Sequence, residues 1–422
     1  MNSSPLLWGR RWNRVGSLFR PTPWSTENWM FRGLLITVII LGLWSLPAGA
    51  NSYVGSRACK RCHPQIYRGW RSTLHPYMLK EATDETLILP WNNVVLRFGR
   101  RKFRLFRRGR EFWMEITHNG KTEAYRVKYI LGGTWKELFI TELPNGELRI
   151  LPLSWVVEGE KWDLNDYWPS TLYQEKCMGC HVTGLRLERR GKRLVTRFRE
   201  LGVGCEACHG PGEKHIEAPA EKKFETIVNP ARIPNYRIAA MVCGACHSRG
   251  ETPDGRYRYP RGYLPGKSFE FTFILKPILY PDGSPKANYE QYNDWLKSNH
   301  SRAGVMCWDC HEVHSKGRAN RFQTKLPGSL LCRKCHQVKN KGVHGIHSVN
   351  ICVGCHMPLV ARRGLVRDIH SHQFRVVFPS WTLKIGSFEK QPNSCNACHF
   401  HRKDPPERLE KILEYSLEGL NF

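Results

Sequence analysis

Eight copies of the pattern Cys-x-x-Cys-His use all sixteen cysteines of this 422-residue chain. The paired cysteines are Cys59 and Cys62, Cys177 and Cys180, Cys205 and Cys208, Cys243 and Cys246, Cys307 and Cys310, Cys332 and Cys335, Cys352 and Cys355, and Cys395 and Cys398. The histidines that close the eight copies are His63, His181, His209, His247, His311, His336, His356 and His399. This pattern attaches c-type haem, because the two thiols bond to the porphyrin while the histidine binds the iron as its proximal ligand. We therefore predict eight covalently bound haem c groups.

Three other uses of paired cysteines fit this sequence less well. Zinc ribbons also contain Cys-x-x-Cys pairs, but a zinc site needs no histidine directly after each pair. Thioredoxin-like redox chemistry needs one such pair within a βαβ pattern, which this sequence lacks. Disulfides would suit an exported chain, yet they would not explain the eight histidines.

The N-terminal segment has the features of an export signal. Residues 33–44 are apolar and follow Arg32, and Ala48-Gly49-Ala50 forms a small-x-small cleavage pattern. We predict that residues 1–50 are a signal peptide and that translation begins at Met30. The apolar run is shorter than the ~20 residues that span a bilayer, and an uncleaved membrane anchor is the alternative. Export places the chain outside the cytoplasm, in the periplasm or, as the alternative, at the cell surface or in the extracellular space.

The positions of the motifs divide the rest of the chain into segments. A first haem-binding segment covers residues 51–91, and residues 159–400 hold the other seven motifs. Between them, residues 92–158 have no motif, alternate apolar with basic positions and contain Asn-Gly turn signals, so we predict an inserted antiparallel β-module. Residues 401–422 should form a closing amphipathic helix. The predicted fold class is a multihaem cytochrome c, built mainly of short α-helices and loops around eight haems.

The charge of the chain limits the partners that we expect. The formal net charge is +28, and removal of residues 1–50 leaves 60 basic and 36 acidic side chains, or +24. Sixteen ionised haem propionates would lower this to about +8. Most of the basic excess is thus expected to neutralise propionates, and no nucleic-acid partner is expected. The mildly cationic surface that remains suits acidic redox partner proteins.

A second axial ligand is needed on each haem that only carries electrons, because a filled sixth position keeps the iron low-spin. The candidate distal ligands are His75, His215, His300, His314, His344, His347, His370, His372 and His401. His118 lies beside a predicted hairpin turn and is set aside as a surface residue. Two pairs in this set are so close in sequence that each pair can supply one iron, which leaves seven ligands for eight haems. One iron would then be open, or bound by one of Met78, Met241, Met306 or Met357.

A Tyr/Trp/His spacing occurs twice and supports part of this ligand set. The two copies are Tyr67-x2-Trp70-x4-His75 and Tyr292-x2-Trp295-x4-His300. The spacing predicts a short helix that packs aromatic rings on a porphyrin and delivers a distal imidazole. Two amphipathic helices with surface histidines are the alternative.

Several of these runs resemble a known family. Residues 54–63, together with Tyr67, Trp70 and His75, resemble the opening of multihaem cytochromes of the c-552/c-554 type. The same resemblance extends to residues 204–212 (GCEACHGPG), 307–314 (CWDCHEVH) and 352–358 (CVGCHMP). It implies covalent haems in stacked and perpendicular pairs, mostly with two histidine ligands, in an extracytoplasmic electron-transfer protein. The related superfamily includes hydroxylamine oxidoreductases and octahaem reductases of nitrite or tetrathionate, so the resemblance alone leaves both carrier and enzyme open.

We expect an extracytoplasmic octahaem cytochrome that relays electrons in respiration through closely spaced, mostly bis-histidine haems. The expected partners are redox proteins, such as quinol-oxidising membrane cytochromes or outer-membrane conduits. A membrane is expected to be contacted only transiently or through an uncleaved signal anchor. Relatives that reduce nitrite or tetrathionate often carry lysine in place of the motif histidine, whereas all eight motifs here end in histidine, which favours the relay.

Two alternatives to the relay stay open. The first is an octahaem oxidoreductase that acts on nitrite, hydroxylamine or a sulfur oxyanion at one five-coordinate haem. The second is a subunit of an extracellular haem filament or of a porin–cytochrome conduit.

Overall fold

The computed structural model describes residues 51–87, 89–316, 322–339, 341–347, 351–362 and 367–418. The predicted signal peptide at residues 1–50 and the predicted start at Met30 lie outside these residues, as do the last four residues of the predicted C-terminal helix. Within the described residues, no helix combines the length and the apolar composition needed to cross a bilayer.

Nine strands form two antiparallel sheets early in the described chain. The strands are β1 Leu79–Glu81, β2 Val94–Phe98, β3 Arg101–Arg108, β4 Glu111–His118, β5 Lys121–Arg126, β6 Tyr129–Gly132, β7 Lys136–Glu142, β8 Leu148–Val156 and β9 Lys161–Leu164. One sheet has the strand order β2-β3-β4-β5, and the other has the order β1-β6-β7-β8-β9. All neighbouring strands pair antiparallel, as the alternating sequence pattern predicts.

The alternation of side chains gives these two sheets a shared core. Phe112 and Met114 on β4 are buried, whereas the residues between them are half-buried. Leu151 on β8 joins the same cluster from the other sheet. The turn between β4 and β5 has positive φ at Asn119 (51°) and Gly120 (75°), which these two residue types tolerate better than others. The hydrophobic pattern and the turn chemistry thus specify the same hairpin.

The sheets extend beyond the predicted β-module at residues 92–158. Strand β1 pairs with β6 across Leu79 and Leu131, and β9 pairs with β8 across Leu164 and Leu153. Strand β1 has three residues and β9 has four, which is too short for a clear alternating pattern. We call residues 79–164 the two-sheet region.

Short helices and small hairpins make up the rest of the described chain. The α-helices are α1 Ser56–Cys59, α2 Pro64–Arg71, α3 Tyr173–Lys176, α4 Cys205–His209, α5 Glu213–Glu217, α6 Tyr236–His247, α7 Gln291–Trp295, α8 Asn299–Arg302, α9 Cys307–Cys310, α10 Leu330–Arg333, α11 Val343–His347, α12 Cys352–His356, α13 Pro379–Ile385, α14 Ser394–Ala397 and α15 Pro406–Glu418. Short 3₁₀ helices cover His75–Tyr77, Met178–Cys180, Ala220–Glu225 and Pro230–Arg232.

The β content is larger than the predicted fold class allowed. Eight further strands are β10 Val182–Thr183, β11 Arg186–Arg190, β12 Arg193–Arg197, β13 Glu200–Leu201, β14 Gly250–Glu251, β15 Ile274–Leu275, β16 Leu359–Ala361 and β17 Ile369–His370. They form four two-stranded sheets that lie among the haem motifs. The expectation of mainly helices and loops is corrected here, because strands of two to five residues give almost no periodic signal in the sequence.

The C-terminal helix α15 packs against α13. Leu409 on its inner face is 4% exposed, and the backbone N–H of Ser380 donates a hydrogen bond of 2.8 Å to the Glu410 carboxylate. The helix thus begins at Pro406, and residues 401–405 of the segment predicted to form it are not helical.

Candidate haem sites

The Cys-x-x-Cys-His motifs lie on helices or turns, and the fourth is the last part of the longer helix α6. In the first motif, the backbone N–H of His63 donates to the carbonyl of Cys59 at 2.9 Å, and His311 donates to Cys307 at the same distance. Residues three apart share one face of a helical turn. Both thiols of a motif are therefore presented on the same side, as attachment to one porphyrin requires.

Seven of the motifs border one continuous cavity of about 2510 Å³. Its lining includes cysteines and the histidine of each of the first seven motifs, from Cys59 to His356. No residue of the motif that begins at Cys395 is among the described lining residues. Apolar side chains such as Trp70, Val203 and Trp295 complete the wall. The motifs are thus gathered around a shared interior rather than scattered over the surface.

Five motif histidines face a second histidine across this space. The ring centres are 6.4 Å apart for His63 and His215, 5.9 Å for His209 and His314, 6.3 Å for His311 and His372, 6.2 Å for His356 and His344, and 5.8 Å for His336 and His300. In the first four pairs the two ring planes are nearly parallel, at angles of 13° to 21°, and in the fifth pair they are inclined at 73°.

The separation of these rings provides a test of whether the residues fit haem iron. Metal–imidazole bonds of about 2.0–2.1 Å, with roughly 1.1 Å from each nitrogen to its ring centre, put two imidazoles on one metal about 6.3 Å apart. The observed ring separations agree with that value to within about half an ångström. The residues therefore fit an iron held between two imidazoles.

The partner of each motif histidine comes from elsewhere in the chain. His215 follows the third motif by six residues, yet it faces His63 of the first motif. His314 follows the fifth motif by three residues, yet it faces His209 of the third. Histidines near one motif are thus directed to a neighbouring motif, which links the motifs in space.

Backbone carbonyls orient several of these imidazoles. The Nδ1 atoms of His209, His311 and His215 lie 2.7, 2.8 and 2.9 Å from the carbonyl oxygens of Val228, Phe322 and Lys223, respectively. A carbonyl can only accept, so each Nδ1 carries the proton and each Nε2 keeps a free lone pair. Such contacts fix the tautomer that binds metal through Nε2.

Burial favours the neutral form of several of the facing histidines. Loss of solvation lowers the pKa of His209, His311, His314 and His356, and it lowers the pKa of His372 to about 3. Neutral imidazole is the form that coordinates metal. These side chains are therefore ready ligands at neutral pH.

The repeated Tyr/Trp/His spacing corresponds to a repeated set of contacts. The indole N–H of Trp70 donates to the carbonyl of Val203 at 3.0 Å, and the N–H of Val203 donates to the carbonyl of His75 at 2.9 Å. In the second copy, Trp295 donates to Val305 at 2.8 Å and Val305 to the carbonyl of His300 at 2.9 Å.

Both valines stand two residues before a motif cysteine, Cys205 in the first copy and Cys307 in the second. In each copy, these hydrogen bonds therefore hold in place the segment directly before a haem motif. This role of the tryptophans was not part of the sequence prediction.

The other distal candidates occupy different surroundings. His347 and His401 face each other, with 3.0 Å between their Nε2 atoms, and the Asp404 carboxylate accepts a 2.8 Å hydrogen bond from His401 Nδ1. His75 is buried within electrostatic reach of His314, and His370 Nδ1 donates to the Met357 carbonyl at 2.5 Å.

The four methionine candidates also differ in their surroundings. Met241 belongs to a cluster of buried side chains around α6, and Met306 belongs to the same cluster and also borders the cavity. Met78 and Met357 line the cavity.

The second motif has polar surroundings that the sequence did not reveal. The Tyr173 hydroxyl lies 2.9 Å from Nδ1 of its histidine, His181, where other motif histidines contact a carbonyl. Tyr167 lies within electrostatic reach of Arg249 and of Cys177, and burial raises the pKa of its hydroxyl to about 12. These side chains come from separate segments, so no local sequence motif predicts that they lie together.

Cationic and phenolic side chains continue around this motif. The guanidinium carbon of Arg249 lies 5.8 Å from the centre of the Tyr289 ring. Lys176, Arg258, Tyr167, Tyr289 and Arg249 all line the cavity. The arrangement combines hydroxyl donors and positive charges, which can bind a small anion by charge-assisted hydrogen bonds.

Comparisons with known proteins agree with the motif chemistry. The family described as cytochrome c554 and c-prime matches residues 160–210. Cytochrome c nitrite reductase subunit NrfA of Nitratidesulfovibrio vulgaris is 26% identical over a 148-residue alignment, which covers 28% of this chain and 28% of that protein. This chain thus spans about a quarter of the length of that curated relative.

Two solved structures are also similar. The outer cell wall cytochrome OcwA shares 22% identity with a TM-score of 0.64, and the match covers 86% of each chain. The undecahaem cytochrome from the S-layer of Carboxydothermus ferrireducens has a TM-score of 0.48 at 18% identity, with 86% of this chain and 60% of that chain covered. The likeness to OcwA shows the fold. The motifs, the family match over residues 160–210 and this fold together support a multihaem c-type cytochrome with covalently bound haem c.

Proposed function

We propose that this chain carries eight haem c groups and relays electrons between redox partner proteins outside the cytoplasm. When bound, each haem supplies an iron that accepts and releases one electron. The cysteines fix the porphyrins, and paired histidines close the axial positions of at least five irons. The observation that carries the proposal is the set of five facing histidine pairs, each at the separation expected for one iron.

Contacts between cysteines of different motifs support a continuous path. Thiols within hydrogen-bonding reach join Cys59 with Cys205, Cys180 with Cys246, Cys243 with Cys307, and Cys332 with Cys352. Thiols within electrostatic reach join Cys208 with Cys246, Cys310 with Cys332, and Cys355 with Cys395. Numbered along the chain, the motifs then follow the order first, third, fourth, fifth, sixth, seventh and eighth, with the second beside the fourth.

In this relay, the protein would hold the haems in position and tune the properties of their irons. Neutral imidazoles bind iron without titrating, and the carbonyls on Nδ1 increase the electron density that the ligand donates. Filled axial sites keep each iron in one geometry during reduction. The location outside the cytoplasm rests on the predicted signal peptide.

Replacement of one proposed distal ligand tests the axial assignment. We expect His215→Gln to turn one haem per chain from low-spin to high-spin in the optical spectrum of the oxidised protein. His118→Gln is the matched control, because His118 is exposed in a hairpin of the two-sheet region, and it should leave the spectrum unchanged. Equal spectra for both variants would contradict the assignment of His215.

A second candidate function is reduction or oxidation of nitrite, hydroxylamine or a sulfur oxyanion at the haem of the second motif. The cluster of Arg249, Arg258, Tyr167 and Tyr289 beside Cys177 favours it, since these groups supply charge and hydroxyl donors. Turnover of nitrite, hydroxylamine or sulfite by the purified protein that is abolished in Tyr167→Phe would support this function. Absence of turnover with all three substrates would remove it.

A further inference from the structure

The outer face of the four-stranded sheet is unusually basic. Phe103 and Leu105 point into the core, so their neighbours on β3 point outward. The register aligns Arg97 with Lys102, Arg104 with Glu115 and Arg108 with Glu111 across adjacent strands. The basic sheet face, as we define it, consists of Arg97, Lys102, Arg104, Arg108 and Arg126.

The charge of this segment is large relative to the whole chain. Residues 94–128 contain eleven basic and three acidic side chains, a net charge of +8. The haem-loaded chain as a whole is expected to carry about +8 once its propionates are counted. Residues 94–128, which comprise the four strands, their turns and two following residues, therefore hold a net charge as large as that expected for the haem-loaded chain.

Neutralisation of haem propionates does not account for this charge. The cavity is lined by Lys80 and then by Gly132, and no described residue between these two positions lines it. The shared core of the two sheets lies on the opposite side of the four-stranded sheet from the basic sheet face. Other basic residues, such as Lys136 and Lys176, line the cavity and are placed for that role.

Part of the positive charge is available for a partner. Arg104 makes two hydrogen bonds to Glu115, at 2.8 and 3.0 Å, and Arg126 pairs with Glu111 at 3.0 Å. Within the described part of the chain, Arg97, Lys102 and Arg108 have no carboxylate within ion-pairing distance.

Aromatic rings hold one of these three cations in place. The guanidinium of Arg108 lies 4.4 Å from the Trp113 ring centre and 5.3 Å from that of Phe106. Stacking on rings reduces the mobility of an arginine while its N–H groups remain able to bind an anion.

The cations of the basic sheet face are spread over much of the sheet. On β3, Lys102 and Arg108 are six residues apart, or about 20 Å, and Arg104 lies between them. Arg97 lies beside Lys102 on β2, and Arg126 lies on β5. Cations spread over this distance match an extended chain of anions better than one small ion. We propose that the basic sheet face binds a linear chain of inorganic polyphosphate.

This surface is suited to anchoring rather than to electron transfer. The flanking motifs end at His63 and resume at Cys177, so the sheet carries no haem attachment residue. A polymer held here leaves the haem-bearing surfaces open to redox partners. The proposal does not depend on the electron relay, because it concerns the two-sheet region alone.

Binding of the haem-loaded protein to long-chain polyphosphate tests the proposal. We expect binding whose affinity falls steeply with salt, since each phosphate contact releases counterions. The test variant replaces the three available cations, Arg97→Gln, Lys102→Gln and Arg108→Gln. We expect a loss of affinity on the order of 100-fold at low salt and a salt slope smaller by about two to three.

A matched control removes the same charges elsewhere. Lys192→Gln, Arg193→Gln and Arg197→Gln remove two arginines and one lysine from the exposed β11–β12 hairpin. This control should bind within about twofold of the unchanged protein, and thermal melts should show that both variants remain folded.

Three results would overturn the proposal. They are no binding of the unchanged protein to polyphosphate, an equal loss in the control variant, and stronger binding to anionic lipid vesicles than to polyphosphate with the same dependence on Arg97, Lys102 and Arg108. The last result would assign the surface to a membrane.

Discussion

The interiors of two regions are filled differently: side chains fill the two-sheet region, whereas the region that follows it, residues 165–418, is arranged around the haem motifs. We call residues 165–418 the haem-bearing region. In the two-sheet region, residues 79–164, large side chains such as Phe103, Phe139 and Leu151 are fully buried in one shared cluster. In the haem-bearing region, the motifs border a cavity, and one cluster of buried side chains lies around α6 and α7. In a further cluster, Tyr173, Met178 and Val182 pack against buried side chains of the five-stranded sheet. A packed side-chain core can support a fold alone, whereas a region built around cofactors depends on their attachment.

Prevention of haem attachment should produce the largest effect. With all sixteen cysteines replaced by alanine, we expect the two-sheet region to fold and the haem-bearing region to unfold, because the former contains no cysteine. Limited proteolysis followed by mass spectrometry should recover a resistant fragment close to residues 79–164. The haem-loaded chain is the control and should resist proteolysis in both regions. Uniform digestion of the cysteine-free chain would contradict the expectation that the two-sheet region folds without haem.

A cavity in the side-chain core should affect only the two-sheet region. Leu151→Ala should lower its free energy of unfolding by about 2–5 kcal/mol, since Leu151 is fully buried. Tryptophan fluorescence during denaturation measures this loss, while the haem absorption spectrum should stay unchanged. Val95→Ala, at a position that is 52% exposed, should cost less than about 0.5 kcal/mol. Parallel loss of haem absorption in Leu151→Ala would show that the two regions unfold together.

The two tryptophan hydrogen bonds allow two haem motifs to be compared, the third motif beside Trp70 and the fifth beside Trp295. Trp70→Phe and Trp295→Phe each leave one valine carbonyl without its indole donor, which should cost about 1–3 kcal/mol. Thermal denaturation followed at the haem absorption band measures both. Similar losses would agree with a duplicated unit, and Tyr415→Phe, at a 76% exposed position, should have no effect. A loss in one variant alone would show that the copies are not equivalent.

A buried carboxyl should give the stability of the haem-bearing region a dependence on pH. Burial raises the pKa of Glu290 from 4.5 to about 7, against the opposing effects of backbone hydrogen bonds and Arg249. The folded state then binds the proton more tightly than the unfolded state, so stability falls as pH rises from about 4.5 to about 7 and levels off above. The slope should be at most about 1.4 kcal/mol per pH unit.

Glu290→Gln should flatten this part of the profile, because the amide does not titrate. Denaturation followed at the haem band at several pH values, in the unchanged protein and in the variant, provides the measurement. An unchanged slope in the variant would mean that Glu290 is not its source.

The sequence predicts the two regions to different depths. Strands β3 and β4 could be predicted from the sequence, because they are long enough to show alternating apolar and polar residues. The Asn-Gly turn signals are also local, so they can be recognised without knowledge of the tertiary structure. The hairpins among the haem motifs were missed, since strands such as β10 and β13 have two residues each and gain their pairing from distant segments. The short strands β1 and β9 escaped notice for the same reason.

The candidate sites show the same limit. The cysteines and motif histidines follow from spacing alone, and the set of spare histidines follows from counting. The pairing of His63 with His215, or of His311 with His372, depends on where distant segments meet. The carbonyl partners of Nδ1 and the cluster around Tyr167 are tertiary features without a local pattern.

Electron paramagnetic resonance of the oxidised protein, with spin quantitation, tests the central claim most directly. The account predicts low-spin ferric signals for at least five irons per chain, one for each facing histidine pair. Protein without iron, or a spectrum in which high-spin iron predominates, would contradict it.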